Sequence, residues 1–260
     1  MLELEGVTKI FNRHSLDEKV ALRDVSLKIS KGDFVTIIGS NGAGKTTLLN
    51  AVTGSVLIED GNVAIDGFDV THLSEFERGR WIGRVFQNPL MGTASEMTIE
   101  ENLSMALLRG KPRRLRKGVT EGHRKTYRPV LQTLGLGLED RLKDRVGLLS
   151  GGQRQSLAIL MATLAMPKLL LLDEHTASLD PKTAAVVMDL TEKVVKGNNL
   201  TTLMVTHNMD QAIRYGNRLI MMHEGRIILD VSGEGKRDLT VTEVVERFGI
   251  VDEKLLLVKP

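Results

Sequence analysis

The chain of 260 residues contains no cysteine, few aromatic residues and no long apolar run. Without cysteine it can form neither a disulfide bond nor a thiolate metal site, which suits a reducing compartment. No stretch approaches the roughly 18 to 20 apolar residues that a membrane span requires. A net charge of +2 is too small for an obligate nucleic-acid binder, and 42% hydrophobic residues exclude a disordered chain. We therefore expect a folded cytoplasmic protein that is soluble when isolated and binds no nucleic acid.

Apolar segments of strand length alternate with helical segments along most of the sequence. The pattern predicts strands at Phe34 to Ile38, Leu169 to Asp173 and Leu203 to Thr206. It predicts helices at Lys45 to Thr53 and Lys182 to Lys196. Such alternation is typical of an α/β fold with a mixed, mostly parallel sheet.

The predicted organisation is a single domain, 1–260, made of three parts. Residues 1–88 and 158–230 form the α/β core, with an antiparallel β subdomain indicated by the alternation of the first 30 residues. Residues 89–157 are an inserted helical subdomain, and residues 231–260 are a C-terminal extension.

One glycine-rich segment lies between the first predicted core strand and its helix. Residues 39–46 match the phosphate-loop pattern G-x-x-x-x-G-K-[ST]. Glycines let backbone N–H groups and a helix N-terminus approach phosphates, while the lysine reaches the β/γ-phosphates and the hydroxyl ligates Mg²⁺. The predicted nucleotide-binding residues of this segment are Gly39, Ser40, Asn41, Gly42, Ala43, Gly44, Lys45, Thr46 and Thr47.

Two carboxylates follow the apolar run that ends at Leu172. In folds with a phosphate loop, acids at the carboxyl end of a buried strand lie beside the phosphates. Asp173 is therefore predicted to hold Mg²⁺ or its water, and Glu174 to orient and deprotonate the attacking water. Two surface acids at the end of a strand are the alternative, which the phosphate loop disfavours.

A second candidate anion site follows about a hundred residues after the phosphate loop. Ser150 and Gln153 have the spacing of a capping box, with Gly151 and Gly152 between them, before a helix predicted at Gln155 to Ala165. One nucleotide does not need two such helix N-termini from one chain, whereas a head-to-tail dimer does.

These motifs resemble the nucleotide-binding subunit of ATP-binding cassette (ABC) transporters over nearly the whole chain. The resemblance implies that Phe11 stacks on adenine, that Gln87 touches Mg²⁺ and water, and that His207 contacts the γ-phosphate. It also places Asp180 in a dimer-interface loop, whereas His175 stands where the family commonly has proline. The implied catalytic residues are Glu174, His207, Gln87 and Lys45, and the implied metal-binding residues are Thr46, Gln87 and Asp173.

In this family two subunits sandwich two ATP molecules and drive a separate transmembrane permease. No membrane segment is fused to this chain, and in this respect it resembles the ATPase subunits of bacterial uptake systems, which keep these parts on separate chains. In such systems a substrate-binding protein delivers the cargo to the permease. Residues 84–89, 97–103 and 173–180 resemble a subgroup associated with tryptophan- or tyrosine-type uptake. The resemblance therefore implies a homodimeric ATPase at the cytoplasmic face of the cell membrane.

Two alternatives remain at this point. A soluble member of the same superfamily, such as an iron–sulfur assembly ATPase, would carry the same catalytic residues. A kinase or GTPase would use the phosphate loop but would leave residues 150–153 unexplained.

Overall fold

Two β-sheets form the framework of the computed structural model, which describes residues 1–111 and 117–247. The strands are β1 (Leu2–Phe11), β2 (Lys19–Ile29), β3 (Phe34–Gly39), β4 (Asp60–Ile65), β5 (Phe68–Asp69), β6 (Ile82–Val85), β7 (Leu169–Asp173), β8 (Thr201–Val205), β9 (Arg218–His223) and β10 (Arg226–Ser232). The α-helices are α1 (Lys45–Thr53), α2 (Glu75–Arg78), α3 (Ile99–Leu107), α4 (Glu121–Gln132), α5 (Gly151–Leu164), α6 (Pro181–Gly197), α7 (Met209–Arg214) and α8 (Glu234–Arg237), and residues 241–247 are also helical.

The larger sheet has six strands in the order β10-β9-β3-β8-β7-β6. The pairs β3–β9, β3–β8, β8–β7 and β7–β6 are parallel, and β10 joins the edge as the antiparallel half of a hairpin with β9. This mixed sheet, with helices between its strands, confirms the predicted α/β class. Parallel strands align their carboxyl ends at one edge, which is where such folds place a ligand.

The smaller sheet is antiparallel and has the strand order β2-β1-β4-β5. The alternation of the first 30 residues therefore predicts its first two strands correctly. Its other two strands come after α1, from a segment in which the sequence pattern indicated none. The sequence pattern did not indicate β4 because this strand forms by pairing with β1, about 60 residues earlier in the chain.

Both faces of the larger sheet are buried. On one face Leu169 and Leu171 pack with α1 and the smaller sheet, and on the other Leu170 and Leu172 pack with α5 and α6. Successive strand residues point to opposite faces, so a continuous apolar run such as β7 is required between two layers.

The helical region has an apolar core of its own, to which α5 contributes. Ile99, Tyr127 and Leu131 pack there with Leu157 and Leu160. The other side of the same helix packs against the sheet through Ala158, Ile159 and Ala162. The expected boundary between residues 157 and 158 therefore falls inside a helix that serves both cores.

Several local boundaries differ from the sequence prediction. α5 begins at Gly151, four residues before the predicted Gln155, because the capping box of Ser150 and Gln153 starts it at once. β8 begins at Thr201 and ends at Val205, slightly before the predicted Leu203 to Thr206.

The expected C-terminal extension is described only in part, because residues 248–260 lie outside the described residues. None of the helices in the described ranges is long and apolar enough to cross a membrane.

Candidate functional site

An open cavity lies at the carboxyl edge of the larger sheet, over the N-terminus of α1. Residues 41–47 line it together with Phe11, Glu174 and His207. Phe11 ends β1, and the Lys9 ammonium lies 5.1 Å from the centre of its ring. Phe11, Glu174 and His207, which were expected at the nucleotide, thus come from both sheets to meet the phosphate-loop segment. Gly39 and Ser40 lie at an adjoining cavity beside His207.

The geometry of the loop depends on glycine at Gly44. Gly44 precedes α1 with φ of 100°, and a Cβ atom there would lie 2.5 Å from the carbonyl oxygen of Ala21. Any larger side chain would therefore be strained and would collide with β2. No side chain caps α1, so its first backbone N–H groups and positive dipole end face the cavity. This is the arrangement that binds phosphate.

Lys45 is buried at the first position of α1. Its Nζ donates hydrogen bonds to the carbonyl oxygens of Gly39 (2.8 Å) and Ser40 (2.9 Å). Burial lowers the pKa of Lys45, and the charges of Glu174 and Asp173 oppose that shift. Both carboxylates are thus close enough to act on the lysine, and the ammonium faces the region where phosphates would lie.

Glu174 and His207 form a close pair across the ends of β7 and β8. His207 Nε2 lies 2.5 Å from Glu174 Oε1, and the Glu174 side chain is only 13% exposed. The backbone of Glu174 has φ of 47°, a left-handed conformation that is uncommon for a residue with a side chain. Its N–H donates to the carbonyl oxygen of Val205, which keeps the strained residue against β8.

The residues expected to bind metal come from three elements at the same edge. Thr46 is in the first turn of α1, Asp173 ends β7, and Gln87 follows β6 in an exposed loop. β6 and β7 are adjacent and parallel, so Gln87 and Asp173 emerge side by side. The Ser178 hydroxyl donates to the Gln87 carbonyl oxygen at 3.2 Å, which ties that loop to the segment after β7.

These three side chains offer a hydroxyl, an amide and a carboxylate oxygen, which is a donor set suited to Mg²⁺. The described residues contain no group of three or more histidine, aspartate or glutamate side chains that could hold a metal alone. A magnesium ion with one carboxylate takes its remaining ligands from phosphates and water, so the residues present fit that ion beside a nucleotide.

Residues Ser150 to Gln153 form a capped helix N-terminus. The Ser150 hydroxyl accepts from the Gln153 N–H, and the Gln153 side chain accepts from the Ser150 N–H. Among the described residues, none from this motif is part of the lining of the phosphate-loop cavity. The motif packs closely on α6 and therefore requires glycine at position 152, because a Cβ at Gly152 would lie 2.3 Å from Thr183 Cγ2.

Asp180 caps the N-terminus of α6. Its carboxylate accepts a hydrogen bond from the Thr183 N–H, and this hydrogen bonding holds the pKa of Asp180 below its usual value.

His175, directly after Glu174, has a buried ring. It is 1% exposed, and its Nε2 lies 3.1 Å from the Thr191 hydroxyl oxygen. The Thr191 hydroxyl donates to the Val187 carbonyl oxygen, so it accepts from His175. Burial lowers the pKa of His175 to about 4. The ring is therefore a neutral anchor that fixes the backbone after Glu174 to α6.

Comparisons with known proteins agree with this geometry. A model of the ABC transporter family matches residues 22–177. A tyrosine transport ATP-binding protein of Clostridioides difficile (strain R20291) is 45% identical over 248 residues, 95% of this chain and 98% of that protein. The chain belongs to the ABC transporter family. As a member of that family, it is a transport ATPase subunit that binds and hydrolyses ATP.

Other ABC proteins are similar to this chain in sequence and in fold. An energy-coupling factor transporter ATP-binding protein of Clostridium tetani (strain Massachusetts / E88) is 30% identical, over 96% of this chain and 84% of its own length. An ATP-binding cassette solved as a dimer in a post-hydrolysis state with ADP and Pi has a TM-score of 0.76 and 32% identity. That match covers 89% of this chain and 98% of the solved one.

Proposed function

We propose that two copies of this chain hydrolyse two Mg·ATP molecules in a head-to-tail dimer and thereby drive amino-acid uptake by a separate membrane permease. The observation that carries the proposal is the separation of two phosphate-binding geometries. Residues 41–47 line one cavity with Glu174 and His207, whereas the capped N-terminus of α5 contributes nothing to its lining. A second subunit supplies the missing half of each site.

The phosphates bind to the uncapped N-terminus of α1. The ammonium of Lys45 exchanges its two carbonyl partners for β- and γ-phosphate oxygens, and residues 39–47 enclose the phosphates with backbone N–H groups. Phe11 also lines the cavity and stacks on the adenine.

Thr46, Gln87 and Asp173 hold the magnesium ion. Bound there, Mg²⁺ neutralises charge on the transferred phosphoryl group. The chain's own contribution is orientation, because the alignment of β6 with β7 fixes two of these donors at one edge.

Glu174 accepts a proton from the water that attacks the γ-phosphate. Its strained backbone and the anchor of His175 hold the carboxylate toward the cavity. His207 now donates to Glu174, and a γ-phosphate in the cavity competes with the carboxylate for that N–H. The exchange frees an oxygen of Glu174 for water.

The second subunit closes each site with residues Ser150 to Gln153. Asp180 and the α6 N-terminus pack beside this motif, so movement of one is transmitted to the other. The solved dimeric cassette with ADP and Pi supports this assembly. ATP-driven closing and opening then shifts a permease between its two states.

The 45% identical relative, a tyrosine transport ATP-binding protein, supports an amino acid as the cargo. We infer an aromatic or other amino acid as the transported substrate, delivered by a substrate-binding protein to the permease. The chain acts as a homodimer bound peripherally at the cytoplasmic face. The relatives named above are transporter proteins, which disfavours a soluble assembly ATPase.

Light scattering after size exclusion tests the dimer. Glu174→Gln keeps the phosphate site but removes the base, so saturating Mg·ATP should convert that variant into a dimer. Adding Ser150→Arg should return it to a monomer that still binds ATP, because the new side chain blocks the partner's γ-phosphate. Ser30→Arg is the matched control, since Ser30 is exposed and precedes the amino end of β3. A Glu174→Gln protein that stays monomeric at saturating Mg·ATP would contradict the proposal.

A further inference from the structure

An arginine lies in the short strand β6, next to the aspartate that ends β7. Position 84 is the one charged residue in the strand Ile82–Val85. Arg84 is level with Leu171 in the parallel pairing, so its side chain is on the same face as Asp173, two residues further along β7. That face also carries α1, whose first turn includes Lys45 and Thr46.

The Arg84 guanidinium is bound to the Asp173 carboxylate. Nη2 lies 2.9 Å from Oδ2, and both side chains are only 12% exposed. The guanidinium also lies 4.7 Å from the centre of the Phe86 ring, which covers it from one side. Arg84 Nε is buried without a hydrogen-bond partner within residues 1–111 and 117–247. The guanidinium is thus poorly solvated, and Asp173 is its charged partner.

This ion pair competes with the charge of a metal ion. A partly buried cation acts on a neighbouring charge through a low effective dielectric, so its effect is far larger than at an exposed surface. The same carboxylate is a proposed donor for Mg²⁺. Without Arg84 the Asp173 carboxylate would lose the cation in direct contact with it and keep only the longer-range charge of Lys45, so it would attract Mg²⁺ more strongly.

We propose that Arg84 is a positioning residue that pairs with Asp173 and weakens the hold of the nucleotide-occupied site on Mg²⁺. The proposal rests on the function proposed above, in which Asp173 helps to hold the metal. It predicts that the guanidinium acts through its charge and through Asp173, and not through the shape of its side chain.

The test compares the affinity for a non-hydrolysable ATP analogue, by calorimetry, in excess Mg²⁺ and in EDTA. The ratio of the two dissociation constants measures how strongly the metal and the nucleotide favour each other, independently of turnover. Arg84→Met should increase this ratio about tenfold, on the order expected for losing one partly buried cation. Arg84→Lys, which keeps the charge, should stay near the original ratio. Arg84→Gln replaces Arg84→Met if the latter does not fold.

Two further proteins make the test specific. In an Asp173→Asn background, Arg84→Met should leave the ratio unchanged, because the partner of the charge is gone. Arg218→Met is the matched control, since Arg218 forms an ion pair with Asp230 at the sheet's other edge.

The outcomes separate the two proposals. If the unmodified protein binds the analogue equally with Mg²⁺ and EDTA, the proposed metal site itself is wrong. If its binding depends on Mg²⁺ but Arg84→Met leaves the ratio unchanged or lowers it, only the role of Arg84 is overturned. An equal rise for Arg84→Lys, or a rise that persists in Asp173→Asn, overturns it as well.

Discussion

Arg78 ties the end of α1 to the rest of the core. It is 2% exposed at the end of α2, and its guanidinium donates to backbone carbonyls instead of pairing with a carboxylate. The acceptors are the carbonyl oxygens of Ala51 (2.7 Å), Val52 (2.9 Å), Thr71 (2.9 Å) and Leu73 (3.0 Å). Two of them belong to the last turn of α1, where a cation also complements the helix dipole.

Arg78→Met should destabilise the protein by about 3 to 5 kcal/mol. Ala51 keeps a second donor in the Gly54 N–H, so three carbonyls lose the only partner that the described residues give them. A buried unsatisfied carbonyl costs about 1 to 3 kcal/mol, and removing the buried charge recovers part of that sum. The same loss of stability is expected for Arg78→Lys, because a single lysine ammonium cannot reach all the carbonyls that the planar guanidinium of Arg78 contacts.

Urea denaturation of the nucleotide-free protein measures the change. Arg80→Met is the control, because Arg80 is exposed and lies over the Trp81 ring, and it should cost less than about 1 kcal/mol. A decrease below about 1 kcal/mol for Arg78→Met would refute the view that these carbonyls depend on the guanidinium.

Two further predictions concern stability and transport. Burial lowers the pKa of His175 from 6.5 to about 4. Between these pH values the unfolded chain takes up a proton at this position and the folded chain does not. The free energy of unfolding should therefore fall by about 1.4 kcal/mol for each pH unit of acidification in that window. His175→Gln should show a shallower decrease in urea denaturation between pH 6.5 and 5 than the exposed control His14→Gln, and equal slopes would contradict the burial argument. In a strain lacking the gene, the unmodified chain should restore uptake of radiolabelled tyrosine and Lys45→Ala should not; uptake that is unaffected by the deletion would refute the cargo assignment.

Local signals in the sequence were enough for the elements around the phosphate loop. The predicted helix at Lys45 to Thr53 matches α1, because the glycines that bound it, Gly44 and Gly54, both adopt positive φ. The capping box of Ser150 and Gln153 formed as its spacing predicts. The roles assigned to individual site residues remain predictions.

Elements that depend on distant partners were harder to predict. β4 and β5 have few apolar positions; β4 becomes a strand by pairing with the free edge of β1, and β5 by pairing with β4. The sequence offers one indication of a role for Arg84, which is a charged residue in a short apolar segment just before Gln87. That role could be identified only from the pairing of β6 with β7, which places Arg84 beside Asp173.

The sequence by itself therefore determined the chemistry of the chain: the phosphate loop, the paired carboxylates and the second capped helix follow from residue types at short spacings. Only the tertiary structure decided how these groups meet. Parallel pairing brought Gln87 and Asp173 to one edge, set Arg84 against Asp173, and left residues 150–153 away from the cavity of their own subunit. Such long-range contacts depend on which strands become neighbours, and short-range spacing carries no information about that choice.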